Sequence, residues 1–230
     1  MKLRLLLPAL LLPVAMLGAA CGDSGRASSH GKVMAKPAAS SKAQAPASSG
    51  VDPVAFRQDM RKLWEEHVTW TRLYIVSALS GLPDAQPTAE RLLRNQDDIG
   101  AAIKPFYGDE AGAKLTQLLR THITQAADLL KAAKAGDQAA LARAKDAWFA
   151  NADDIAAFLS QANPTQWPQD QVKGMMDMHL DQTIAEATHR LQGNHTAEIA
   201  DYDAIENHIL KLADTLSSGI IAQHPEKFRA

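Results

Sequence analysis

Cysteine is nearly absent: Cys21 is the only one, so no internal disulfide forms and no Cys-x-x-Cys-His haem attachment exists. Charge of one sign is also lacking. The 24 basic and 26 acidic residues almost cancel, and no basic tract is interleaved with aromatics, which argues against a nucleic-acid partner. There is no Gly-x-Ser-x-Gly, no phosphate-binding glycine loop and no paired Glu-x-x-His of the di-iron bundles. No nucleophile stands beside a base, so the sequence does not point to an enzyme. Long apolar runs are missing except at the start. There Lys2 and Arg4 precede an apolar stretch from Leu5 to Leu17, interrupted by Pro8 and Pro13.

That stretch has the length of a signal-peptide core and is too short for a comfortable membrane span. It ends in Gly18-Ala19-Ala20-Cys21, which resembles the lipobox of bacterial lipoproteins, although Leu17 lies one place further from the cysteine than the usual leucine. Residues 1–21 are therefore expected to be a signal peptide, with Cys21 lipidated as a membrane anchor. Ordinary cleavage after Ala20, leaving a free thiol, is the alternative. The expected location is extracytoplasmic. Gly22 in second place favours the outer membrane, on its periplasmic face, if the source is Gram-negative. Residues 22–50 are Ser, Ala, Gly, Lys and Pro with few large apolar side chains, too few to repay ordering, and are expected to be a disordered tether.

What is present in residues 51–230 is helical rhythm. Alanine, leucine and long polar residues dominate, with apolar positions recurring every 3–4 residues between turn signals. Asp52-Pro53 opens a helix to about residue 80, with Met60, Leu63, His67, Trp70, Tyr74 and Ala78 along one stripe. Gly81 and Pro83 end it. Further helices are predicted over about 88–104, 109–136, 137–163, 168–193 and 196–222, with Thr88, Asp137 and Thr196 as caps. The expected fold is all-α: a six-helix bundle of three antiparallel helical hairpins, since short links make antiparallel neighbours. The pattern leaves open whether the hairpins close round an axis or stack.

The hairpins carry a repeat. His67, His122 and His179 are each followed 14 residues later by glycine, at Gly81, Gly136 and Gly193. At 1.5 Å per residue this sets each imidazole about 21 Å from its turn, at one common level. On the return helices, Asn95-Gln-Asp-Asp-Ile99 recurs as Asn151-Ala-Asp-Asp-Ile155. Alignment on Ile209 puts His208 where Asp98 and Asp154 stand. Polar groups on core-facing stripes are costly unless paired.

Two pairings compete. In one, His67, His122, His179 and His208 bind a transition-metal ion (copper, zinc or iron), with Asp98 and Asp154 as ligands or orienters. Met175, Met176 and Met178 near His179 would suit copper(I), although methionine also fills cores. In the other, each His–Asp pair is a structural clamp and the helical surface binds an unknown protein partner. His189, His195, Asp97 and Asp153 read as solvated. Trp148 and Tyr202 read as packing, Trp64 and Trp70 as core or rim, and Glu206 as peripheral.

Three runs carry a family likeness. Leu63-Trp-Glu-Glu-His-Val-Thr-Trp-Thr-Arg72, Asn151-Ala-Asp-Asp-Ile155 and Ala213-Asp-Thr-Leu-Ser-Ser-Gly-Ile-Ile221 resemble a family of small exported all-helical bacterial proteins of unsettled function. The likeness covers about residues 60–228 and implies the same fold and location. Labels such as glycosyltransferase or acetylglutamate kinase attach to some members. A nucleotide-using transferase would need strands and a phosphate cradle, which this pattern lacks. The family's last repeat favours His-x-His, where this chain reads Glu206-Asn207-His208.

Overall fold

The computed structural model describes residues 50–229. Cys21, the signal segment and nearly all of the tether lie outside them. The described residues are all-helical, in five helices: α1 (Pro53–Ser80), α2 (Ala85–Ala135), α3 (Gln138–Ala162), α4 (Gln169–Leu191) and α5 (His195–Gln223). A single 3-10 turn, Pro225–Lys227, follows. None of these helices is long and apolar enough to cross a membrane.

Local chemistry sets the boundaries. Asp52 accepts hydrogen bonds from the N–H groups of Val54 (2.8 Å) and Ala55 (3.3 Å), and Pro53 occupies the first turn. Gly81 adopts φ 68°, which lets Leu82 N–H reach the Ser77 carbonyl at 2.9 Å and close the helix end. Asp137 caps α3 through Ala140 N–H at 2.9 Å. Two expected caps move. Thr88 is buried inside α2, which begins at Ala85, and Asn194 rather than Thr196 caps α5 by accepting from Ala197 N–H.

The sequence predicts a break between helices at Pro105–Gly108. The break falls there, narrowed to a single residue: Gly108 is at φ 88° and ψ 169°, with helical geometry on either side, so α2 runs as two arms joined at that kink. That conformation belongs to glycine. The two arms of α2 then lie against each other: Arg120 donates to Asp97 at 3.0 and 3.1 Å and to the Leu93 carbonyl at 3.2 Å. Gly100 and Gly112 make the approach possible. A Cβ at either would stand 2.7 Å from the other's carbonyl oxygen.

Each helix packs on its neighbours in sequence, and α5 returns to α1, closing the ring. Around the shared axis Met60, Trp64 and Val68 meet Ile99, Leu119, Ile155, Leu180, Ile209 and Leu212. The buried stripe of α1 runs through Trp64 rather than Trp70, whose ring lies under the Arg91 guanidinium at 5.0 Å. The chain ends of the domain are tied by Val51 N–H to Lys227 O and Arg229 N–H to Val51 O, both 2.9 Å.

Candidate functional site: a buried imidazole layer

The equal His-to-glycine spacing does bring the three histidines to one level. His67 on α1, His122 on the second arm of α2 and His179 on α4 are 2%, 2% and 3% exposed. The His179 ring centre lies 5.7 Å from that of His67 and 6.3 Å from that of His122. Trp64 packs against His67 at 5.8 Å and Trp148 against His122 at 5.1 Å. Apolar cavities of about 20 Å³ flank the layer on both sides. One is walled by Thr71, Trp148 and Thr183 among others, the second by Met60, Trp64 and Ile99. Thr71 and Thr183 turn their hydroxyls away, donating to the carbonyls of His67 (2.7 Å) and His179 (2.8 Å).

Such surroundings disfavour charge. Burial pushes His67 down to about 3, helped by the neighbouring His122, and pushes His122 down to about 4. His179 is held well below its ordinary value by burial and then by His67, His122 and His208. All three rings are neutral at physiological pH, the state in which imidazole acts as a ligand.

The expected acids are not beside them. Asp98 and Asp154 are exposed. Helical geometry gives the reason: at about 100° per residue, Asn95, Gln96 and Ile99 share the inward arc and Asp98 falls outside it. The inward polar groups are amides. Gln96 Nε2 lies 3.2 Å from His67 Nδ1, and Asn151 Oδ1 lies 3.0 Å from His122 Nδ1. The clamp therefore exists, but it is made by carboxamides rather than by carboxylates.

His208 also changes role. Its Nε2 donates to the Met175 carbonyl at 2.8 Å. Asn95 donates in the same way to Leu63 O (3.0 Å) and Asn151 to Leu118 O (3.2 Å). Each accepting carbonyl belongs to the residue four before a layer histidine. His208 thus stands in for the two asparagines, and its ring is committed to holding α5 against α4. Met176 is core, whereas Met178 is exposed.

Four polar atoms in or beside the layer are buried without a partner: His179 Nδ1, Gln96 Oε1, Trp64 Nε1 and Trp148 Nε1. Among the described residues, no group of three or more His, Cys, Asp or Glu already stands at metal-holding spacing. A tetrahedral ion with metal–nitrogen bonds of about 2.1 Å would set adjacent ring centres about 5 Å apart. The His67 and His122 rings would each have to draw toward His179 by about an ångström or less.

A second buried polar cluster was not foreseen. Glu186 on α4 and Glu198 on α5, each 1% exposed, share the Arg72 guanidinium at 2.8 and 3.1 Å. Arg190 (3.2 Å) and His195 (2.8 Å) also reach Glu198, and His189 reaches Asp201 at 2.5 Å. His195 is exposed, as expected, yet pairs with Glu198, and His189, expected to be solvated, is half-buried against Asp201. Burial raises Glu186 to about 7 against the pull of Arg72. Burial also opposes the charge of Glu198, but the bonds from His195 and Arg190 outweigh it and hold that carboxyl below the usual range. An acid on an amphipathic helix gives no sequence signal that it faces inward. Gln96 and Asn151, by contrast, stood in the repeated phrase beside the acids.

Comparison with protein-family models, with curated proteins and with solved structures finds no match to this chain.

Proposed function

We propose that the domain binds a transition-metal ion without catalysis, through His67, His122 and His179, and that Cys21 tethers it by lipid to the extracytoplasmic membrane face. The observation that carries the reading is the meeting of three neutral imidazoles from three separate helices in one buried layer, with His179 Nδ1 unpartnered. Native buried polar atoms rarely lack partners, and an ion is one of the ways they find them. Zinc, copper and iron all accept imidazole, so the donor set does not select among them. Asp98 and Asp154 have no place in this ligand set, and His208 supports it from behind. Counting the arms of α2 separately gives three hairpins, each supplying one histidine and two of them an amide that holds it, in keeping with the family likeness of the sequence.

The test is elemental analysis of residues 51–230 purified from an exported source without chelator. Near-stoichiometric metal, lost in His122→Ala and His179→Ala, supports the reading. Metal-free protein that takes up neither zinc nor copper on titration sinks it. Palmitate labelling that survives Cys21→Ser would sink the anchor.

One observation favours a second reading, an envelope adaptor with no metal: the amides of Gln96 and Asn151 hold two rings without any ion. It requires a melting temperature indifferent to chelator.

A further inference from the structure

The three hairpins repeat one another, yet their histidines are held in three different ways. In the second hairpin, Asn151 gives its amide N–H to Leu118 O at 3.2 Å, so its oxygen faces His122 Nδ1 at 3.0 Å. An oxygen there requires the imidazole proton on Nδ1, which leaves a lone pair on Nε2. In the first hairpin, Asn95 makes the matching bond to Leu63 O at 3.0 Å. Its oxygen then faces Gln96 Nε2 at 3.1 Å, not the histidine. Gln96 Nε2 also lies 2.9 Å from Leu92 O and 3.2 Å from His67 Nδ1. Two oxygen acceptors fix the amide nitrogen at that spot. That nitrogen has two hydrogens and cannot accept, so an Nδ1–H on His67 would have nothing to donate to. Nδ1 instead presents its lone pair and shares one amide hydrogen with an oxygen, and the ring proton sits on Nε2. In the third hairpin, His179 Nδ1 has no partner.

The difference between the first two comes from one residue. Position 96 is glutamine where the repeat has Ala152. The amide inserted between Asn95 and His67 reverses the imidazole. Metal-bound histidines almost always donate their second ring N–H to an oxygen, which fixes the tautomer and raises ligand basicity. His122 is set that way and His67 is set against it.

We propose that Gln96 is a positioning residue that withholds His67 from the ion. An ion in the layer is taken by His122 and His179, and His67 joins only when the Gln96 amide turns away from Leu92 and Asn95 and lets the proton move to Nδ1. This rests on the metal reading of the layer, and its test separates the two. Gln96→Ala recreates the second hairpin's arrangement in the first, freeing Asn95 Oδ1 to accept from His67 Nδ1–H.

The experiment is ¹⁵N NMR of the imidazoles in the metal-free domain, followed by zinc titration of wild type and Gln96→Ala. The expected result is a protonated Nε2 on His67 and a protonated Nδ1 on His122 in the wild type. In Gln96→Ala, His67 changes to protonated Nδ1 and zinc binds about 10- to 100-fold more tightly, the range by which such outer partners alter affinity. A wild-type His67 already protonated on Nδ1 overturns the proposal, and this needs no variant to fold. Equal zinc affinity in wild type and a cooperatively melting Gln96→Ala overturns it while leaving the metal reading intact. Zinc uptake by neither protein overturns both.

Discussion

The molecule buries titratable groups in two places and treats them in opposite ways. In the imidazole layer, charge is avoided: three rings stay neutral, and uncharged amides orient two of them. In the cluster around Arg72, charge is compensated: Glu198 keeps its charge with Arg190 and His195 closing around it, and Glu186, raised to about 7 by burial, shares the same guanidinium. Both are helix-borne, and the histidines of the one and the glutamates of the other are buried, while the basic side chains around the glutamates stay partly exposed. The layer lies between apolar cavities, where nothing rewards an ion pair, while the cluster lies near the α4–α5 turn, where long basic side chains reach in from the rim. The layer leaves His179 Nδ1 without a partner, whereas each carboxylate of the cluster meets a cation.

Substitutions should break this comparison unequally. Arg72→Met removes the shared cation and should cost the most, about 3 kcal/mol, because breaking a buried pair strands a carboxylate. The effect falls at the lower end of that class because Glu198 keeps Arg190 and His195. Chemical denaturation at pH 7.5 measures it, and a loss under 1 kcal/mol would show that the pair contributes little. Asn151→Ala should cost about 1–3 kcal/mol, since it leaves the His122 N–H buried without an acceptor. The same variant should weaken zinc uptake, whereas Arg72→Met should leave uptake unchanged.

Acid should act on the two regions with opposite sign. The layer histidines have folded-state values below the unfolded 6.5, so the unfolded chain binds more protons and stability falls as pH drops below about 6.5 toward 3–4. Glu186 is raised to about 7 from 4.5, so between those values the folded state binds its proton more tightly and stability rises as pH falls. Each group contributes up to about 1.4 kcal/mol per pH unit inside its window. The histidines outnumber the glutamate, so the net result is loss in acid. Glu186→Gln should steepen that loss between pH 7 and 4.5 by about 1.4 kcal/mol per unit, read from denaturation midpoints across pH. An unchanged slope would place the Glu186 proton elsewhere.

The smallest effect sharpens the layer's boundary. Asp98→Ala and Asp154→Ala remove exposed carboxylates, and should change stability by no more than about 0.5 kcal/mol and leave zinc uptake intact. Loss of uptake in either would return these acids to the ligand set.

Much of this was legible in the chain. Periodicity and cap residues give the helices to within a few residues, because they report local backbone and solvent preferences. The His-x₁₄-Gly spacing gives the common level of the rings, because helical rise is constant. Angular position was less legible. Asp98 and Asn95 are three residues apart and looked like one face, but the inward arc centres on Asn95, Gln96 and Ile99 and leaves the aspartate in water. Linear spacing does not fix how a helix is rotated against its neighbours.

The sequence by itself determined an all-helical domain and three histidines at one height, since both follow from local geometry repeated along the chain. Only the tertiary structure decided which side chains face those histidines. Folding back at Gly108, closing α5 onto α1 and rotating each helix to bury its largest apolar stripe are decisions of packing. They turned the acids outward, the amides inward and Glu186 and Glu198 onto Arg72.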